Sequence, residues 1–479
     1  MRFKIYVMAA CMAGICYAAM PANAEETLDY GAFGVLHLYQ QPNQTPDRVV
    51  LFFSGDGGWN LGVVDMAKAL AGTGAMVIGI DTPHYLKRIG HGKAACSYPA
   101  GDIESLSQYI QKRSNLKRYY APVLVGYSSG ATLVYAAIAQ APASTFAGAI
   151  SLGFAPDLPL SKPFCRGAGL MADKLPKNKG YSFKPVTKVS RPWIVLQGDI
   201  DQVFDPAQAD AFVSRVAGAK IVRLPHVGHG FSVQRNWMPQ FTQAYTEIQQ
   251  QSLTREQQSR VNRRDVTHPE NFDLPVIEVP AQTDHPSDEL VVMLSGDGGW
   301  ASIDREVGQA LASQGVAVVG LNSLRYFWEA RTPQQSAVDV GKIISRYLDI
   351  WHKKRVILIG YSFGADVASF IYNRLTPDIR KQVHSLVLLE PGSKAFFEFT
   401  LDHWLHENDG GYPVLPEIKR VQGRLLCIYA GGSERNSPCV RIPADQPRLQ
   451  TLRLPGGHHF NGQYQHLAAE ILRNIRTHA

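Results

Sequence analysis

No block of like charge runs along this chain of 479 residues, in which 48 Lys and Arg stand against 41 Asp and Glu. The net charge of +7 is mild and dispersed. A dedicated nucleic-acid binder needs a concentrated basic stripe, so that class is set aside. There is no Cys/His cluster with metal-ligand spacing and no G-x-x-x-x-G-K loop to cradle phosphates, so no cofactor or metal is expected. The 42 Gly and 29 Pro are scattered, which argues against low-complexity disorder. Beyond residue 24 no stretch approaches the ~18 uninterrupted apolar residues of a membrane-spanning helix. What is present is ordinary for a folded protein: 45% hydrophobic and 19% charged residues. At ~100–200 residues per domain, the length allows two or three domains.

The amino terminus stands apart. Arg2 and Lys4 precede an apolar run from Ile5 to Met20, and Pro21-Ala22-Asn23-Ala24 offers an A-x-A cleavage site. Residues 1–24 therefore read as a secretory signal peptide, and the mature chain as exported. The alternative is an uncleaved anchor, for which the run is short. Cleavage would remove Cys11 and Cys16 and leave Cys96, Cys165, Cys427 and Cys439. An even count in an exported protein suggests disulfides. Cys96–Cys165 and Cys427–Cys439 are the favoured pairs, because each stays within one half of the chain.

The chain repeats itself. SGDGGW at 54–59 recurs unchanged at 295–300. GYSSGA at 126–131 returns as GYSFGA at 360–365, and the Gly-His of 228–229 returns at 457–458. The order is conserved between halves, so one domain of ~200 residues has been duplicated. In each copy, apolar strand-like runs alternate with helical patterns. They fall at 49–53, 76–80, 123–125, 147–152 and 193–196, then at 290–294, 317–321, 356–359, 385–389 and 425–429. This pattern predicts an α/β fold with mostly parallel sheets covered on both faces. The expected division is an N-terminal domain at 25–250, a Gln/Arg/Asn/Asp-rich linker at 251–273, and a C-terminal domain at 274–479.

G-x-S-x-G carries the chemistry. Ser128 and Ser362 each follow a strand and precede a helix, the setting of a nucleophile elbow. A serine hydroxyl needs a base, and in such a fold the order is Ser, acid, His. Copy one offers Asp201 and His229; copy two offers Glu434 and His458. Asp199, Asp205, His226 and His459 compete for these roles. The glycine-rich SGDGGW loop would bring a backbone N–H, from Asp56 or Gly57, to the oxyanion together with that of Ser129. In copy two the donors would be Asp297 or Gly298, with Phe363. Asp56 and Asp297 could instead cap the following helix. Asp366, where copy one has Thr132, is placed to attract a cationic substrate group or to stabilise its own helix N-terminus. Trp300, Tyr326 and the aromatic stretches at 326–328 and 396–399, with Trp404, would line an acyl or lipid groove or pack a cap.

These residues resemble the AcvB/VirJ family of bacterial virulence proteins. The resemblance rests on the exported two-copy layout, SGDGGW in both copies, GYSFGAD at 360–366 and LPGGHHF at 454–460. VirJ-type members look like copy two alone, and AcvB-type members have both copies. The resemblance implies an α/β-hydrolase fold, a periplasmic location, and hydrolysis of aminoacyl-phosphatidylglycerol in its lysyl or alanyl form. It implies that Ser362, with Glu434 and His458, carries the activity. The expected partners are an anionic phospholipid surface and the aminoacylated lipid. A general esterase or lipase, or a binding or scaffold protein of a secretion apparatus, is the competing class.

Overall fold

The computed structural model describes residues 24–92, 95–143, 145–261, 274–283, 285–300, 302–400, 410–431, 437–442 and 448–477. Nearly all of the expected signal segment lies outside these ranges.

The N-terminal half contains β1 Ala24–Tyr30, β2 Gly34–Gln40, β3 Val49–Phe53, β4 Met76–Ile80, β5 Val123–Tyr127 and β6 Gly148–Leu152. Three short strands follow, β7 Asp157–Leu158, β8 Ala172–Lys174 and β9 Tyr181–Phe183, then β10 Lys188–Gly198 and β11 Ala217–Leu224. The main sheet runs β1-β2-β4-β3-β5-β6-β10-β11. β1, β2 and β4 pair antiparallel in succession, and the rest pair parallel.

The C-terminal half contains β12 Val276–Val279, β13 Glu289–Leu294, β14 Ala317–Leu321, β15 Arg355–Tyr361, β16 Val383–Leu389, β17 Lys394–Ala395, β18 Tyr412–Pro413, β19 Arg424–Ala430 and β20 Leu449–Leu454. Its sheet runs β12-β14-β13-β15-β16-β19-β20. That is the N-terminal order without its outermost strand, so the repeat in sequence is a repeat in topology. Both halves have the mostly parallel α/β architecture that the periodicity predicts, which is also the α/β-hydrolase fold that the resemblance implies.

The central strands are buried on both faces. Along β3, Val49, Leu51 and Phe53 enter one core cluster while Val50 and Phe52 enter the other. This two-residue alternation, with no polar face, is why the strand reads as a continuous apolar run. β11 and β20 escaped the sequence reading because they are half-exposed edge strands rich in Lys, Arg, Gln and Thr. The helix Met238–Val261 continues past Gln250 into the segment expected as linker. The disulfides form as expected, Cys96–Cys165 and Cys427–Cys439. Among the described residues no helix is long and apolar enough to cross a membrane.

The helix Pro99–Arg113 and the segment after it dock on the C-terminal half. Lys112 Nζ donates to Glu398 at 2.9 Å and to the Trp328 carbonyl at 2.8 Å. Trp328 Nε1 donates to the Leu116 carbonyl at 2.8 Å, and Tyr119 joins the core of the C-terminal half. Glu104, on the same helix, lines a pocket of about 480 Å³ between the halves together with Tyr119, Arg191, Gly298, Arg305 and Arg325. Burial, reinforced by Asp297, raises its carboxyl from 4.5 to about 8. The folded state therefore holds a proton that the unfolded chain releases between those values, and stability falls as pH rises through that window. Glu104→Gln should remove the fall. Its melting temperature is expected to exceed that of the wild type by a few degrees at pH 8 and to match it near pH 4, as calorimetry would register.

Candidate active site

Each G-x-S-x-G sits between a central strand and a helix. β5 ends at Tyr127 and the helix Ser129–Gln140 begins after Ser128, which has φ 55° and ψ −119°. β15 ends at Tyr361 and the helix Phe363–Arg374 follows Ser362, with φ 51° and ψ −118°. A serine at positive φ is strained, and the elbow keeps that strain to raise the hydroxyl above the sheet. The flanking glycines are sterically required. A Cβ on Gly130 would lie 2.4 Å from the Phe53 carbonyl oxygen, and one on Gly364 would lie 2.3 Å from that of Leu294.

Both predicted histidines meet their serines. Ser128 Oγ donates to His229 Nε2 at 2.9 Å, and Ser362 Oγ to His458 Nε2 at 2.9 Å. The tyrosine before each serine braces the histidine loop: Tyr127 OH donates to the His229 carbonyl at 3.0 Å, and Tyr361 OH to that of His458 at 3.2 Å. This role was missed, although the repeated Tyr-Ser pair was its signal. His459 stands beside the site, with Nδ1 3.1 Å from Tyr361 OH. Burial, and then the neighbouring His458, holds its pKa below the ordinary value.

In the N-terminal half the acid is Asp201. His229 Nδ1 donates to its Oδ2 at 2.9 Å. Gln197 Nε2 donates to the same oxygen at 2.9 Å, and the Val203 and Phe204 amides donate to Oδ1 at 2.8 and 3.3 Å. The side chain is fully enclosed, so these donors replace water around the charge. The competing acids are used elsewhere: Asp199 accepts from the His226 amide at 2.8 Å, and Asp205 caps the helix Pro206–Val213.

In the C-terminal half a different residue faces the histidine. Glu434 lies outside the described residues. The carboxylate beside His458 is Glu390, with Oε2 3.5 Å from Nδ1. Its side chain is 2% exposed, and the Ala430 amide donates to its other oxygen. Glu390 follows β16, whereas Asp201 follows β10. The ladders fix the equivalence. Ser128 N donates to the Leu152 carbonyl and Ser362 N to that of Leu389, so Gly153 is the counterpart of Glu390. Gly153 has φ 63° and Glu390 φ 55°. A left-handed conformation suits glycine; a glutamate there costs ~1–2 kcal/mol and marks a constrained position.

The residues expected as oxyanion donors lie in two places. Ser129 and Phe363 open their helices immediately after the nucleophiles. In the SGDGGW loops, Gly58 N donates to the Gly55 carbonyl at 3.0 Å and Gly299 N to that of Gly296 at 3.1 Å. These turns leave Asp56 and Gly57, or Asp297 and Gly298, at their central positions. A Cβ on Gly55 would lie 3.1 Å from Ser128 Cβ, so the loop backbone closes directly on the nucleophile. Gly298 N already donates to Asp297 Oδ1 at 3.1 Å, which leaves the Asp297 amide as the better donor.

A profile for the bacterial virulence protein VirJ matches residues 47–152 and 288–479. The chain belongs to the VirJ family. Among curated proteins none matches it. Solved structures similar to it include an α/β serine hydrolase without lid from Xanthomonas campestris, at 20% identity over 48% of this chain and 94% of that one, TM-score 0.32. A second is an α/β serine hydrolase homologue from Coxiella burnetii, at 18% identity over 47% and 97%, TM-score 0.31. In this VirJ-family chain the first matched segment ends at Leu152, one residue before Gly153.

The expected substrate residues divide. Trp300 is buried, with its ring against Gly320 of β14, as Trp59 lies against Gly79 of β4. Tyr326 is buried, donates to Asp339 Oδ2 at 2.8 Å and stacks under Arg331. Both rings pack within their own domain, and Trp300 also borders the pocket between the halves. Phe363 stacks on Phe399 at 4.6 Å and meets Phe327 at 5.2 Å, so these aromatics also pack. Trp404 lies outside the described residues. Asp366 differs. It sits in the first turn after Ser362, and its Oδ1 accepts from the Gly392 amide at 2.6 Å, in the loop that carries Glu390. Burial, reinforced by Asp297, holds its carboxyl well above the ordinary range. Asp297, Asp366 and Glu390 thus place three carboxyl groups around one serine.

Proposed function

We propose that the chain is a periplasmic serine hydrolase whose C-terminal centre cleaves the aminoacyl ester of aminoacyl-phosphatidylglycerol, in its lysyl or alanyl form. The observation that carries the reading is Asp366, a half-buried carboxyl group in the first turn after Ser362 that accepts from the Gly392 amide. Without a cation it is driven toward its neutral form. A substrate α-ammonium seated between Asp366 and Asp297 would hold both ionised. Ser362 attacks the ester carbonyl, His458 takes its proton, and the lipid glycerol hydroxyl leaves with that proton. Water then releases the amino acid. Two disulfides suit an exported protein. A mild positive charge suits approach to an anionic lipid surface.

The test is release of lysine from vesicles of lysyl-phosphatidylglycerol and phosphatidylglycerol by the mature chain. Free lysine and regenerated phosphatidylglycerol are expected. Intact lipid, from protein whose Ser362 reacts with a fluorophosphonate, would sink the assignment of substrate. Asp366→Asn should lower kcat/KM for the aminoacyl ester about tenfold relative to a butyryl ester, the worth of one charge-assisted contact. With Ser128→Ala, so that both esters are turned over at Ser362, the same ratio should fall on acidification, at a higher pH than ordinary carboxylates titrate. Protonation of His458 then affects both substrates and cancels from the ratio.

A further inference from the structure

We propose that Ser128, His229 and Asp201 form a second, self-sufficient hydrolase centre, and that its substrates are carboxylic esters with an uncharged acyl group. The N-terminal centre is the better knit of the two. Its two hydrogen bonds close at 2.9 and 2.9 Å, against 3.5 Å between His458 and Glu390. Asp201 is held by three further donors, from Gln197, Val203 and Phe204. A domain kept as a scaffold has no use for a serine at φ 55°, or for an enclosed carboxylate aimed at a histidine.

The centre is also built independently. The position that supplies the acid in the C-terminal half is Gly153 here, so a mere relic of that design would have no acid. Instead the carboxylate comes from the end of β10, with Gln197 of the same strand holding it. Asp201 and His229 both lie beyond the first matched segment of the family profile, 47–152.

Specificity follows from one wall of the cleft. Thr132 stands where the other centre has Asp366. Its Oγ1 donates to the Ala155 carbonyl at 2.5 Å, and Ala155 is the counterpart of Gly392. The wall that carries a half-buried carboxylate in one half carries an enclosed threonine, its hydroxyl spent on a carbonyl, in the other. A neutral acyl chain is accepted there, while a cationic one finds no partner on that wall. In the reaction Ser128 Oγ bonds to the acyl carbon and its proton passes to His229 Nε2. The ester C–O bond breaks, and the alcohol leaves with that proton. Water then attacks the acyl-serine, gives a proton to His229, and releases the carboxylic acid and the free serine.

The experiment uses the full mature chain, a fluorophosphonate with peptide mapping, p-nitrophenyl butyrate, and lysyl-lipid vesicles. Two labelled serines per chain are expected, Ser128 and Ser362. Ser128→Ala should lose the first label and at least tenfold of the butyrate turnover. Asp201→Asn, which keeps the serine and the fold, should lose the turnover likewise. Absence of label at Ser128 in folded protein, or butyrate turnover abolished by Ser362→Ala alone, would overturn the proposal. Lysyl-lipid cleavage in Ser362→Ala reports separately on the C-terminal reading, so the two can fail independently.

Discussion

Glu390→Gln is expected to lower kcat/KM at the Ser362 centre by roughly 10³-fold, with the fold retained. The carboxylate's task is to hold the Nδ1–H tautomer of His458 and to stabilise the imidazolium that forms as Ser362 attacks. Glutamine keeps an oxygen for the Ala430 amide but brings no charge, so structure survives and transition-state stabilisation does not. The separation of 3.5 Å between His458 Nδ1 and Glu390 should tighten in the substrate complex. Steady-state rates on an aminoacyl ester, beside a melting curve, measure both halves of the expectation. Glu434→Gln is the control that matters. A comparable loss there, with Glu390→Gln near the wild-type rate, would return the acid to Glu434.

That variant probes where reading the sequence ran short. The duplication, the parallel sheets, both serines and both histidines were legible, because each depends on local pattern: apolar runs, a tight G-x-S-x-G turn, and a Gly-His loop at like spacing. Glu390, the carboxylate beside His458 among the described residues, was not named, and Glu434 lies outside them. Copy one takes its acid from after β10, and carrying that order onto copy two pointed beyond β19 to Glu434. A carboxylate can reach the same histidine from the end of either neighbouring strand, and nothing in linear spacing says which is used. The signal that existed was Glu390 itself, an acidic residue closing an apolar central strand just before Pro391-Gly392. Of the two roles open to the aromatics, a groove wall or packing, the described contacts are packing contacts. Trp300 follows a glycine-rich loop that approaches substrate, but its ring turns back over β14, where Gly320 leaves room for it. The pair Gly79 and Gly320, each inside an otherwise bulky strand, encoded that packing.

The exchange of acids can be tested in the other direction. Asp201→Asn should lower butyryl-ester turnover at the Ser128 centre by roughly 10³–10⁴-fold, since an amide leaves His229 in the wrong tautomer without a counter-charge. Adding Gly153→Glu should recover at least tenfold of that loss. A Cβ built on Gly153 lies 3.1 Å from Cε1 and 3.2 Å from Nδ1 of His229, so a side chain there starts against the correct edge of the imidazole. The backbone conformation is no bar, because Glu390 adopts φ 55° where Gly153 has 63°. Recovery should be partial. The contacts are tight, the left-handed glutamate costs ~1–2 kcal/mol of stability, and Gly198 takes the place of Ala430, whose amide holds Glu390. A double variant that melts like Asp201→Asn yet gains no rate would refute the equivalence of the two positions. One that gains rate would show that this fold accepts its acid from either strand, so that a single mutational step with both carboxylates present could carry one arrangement into the other.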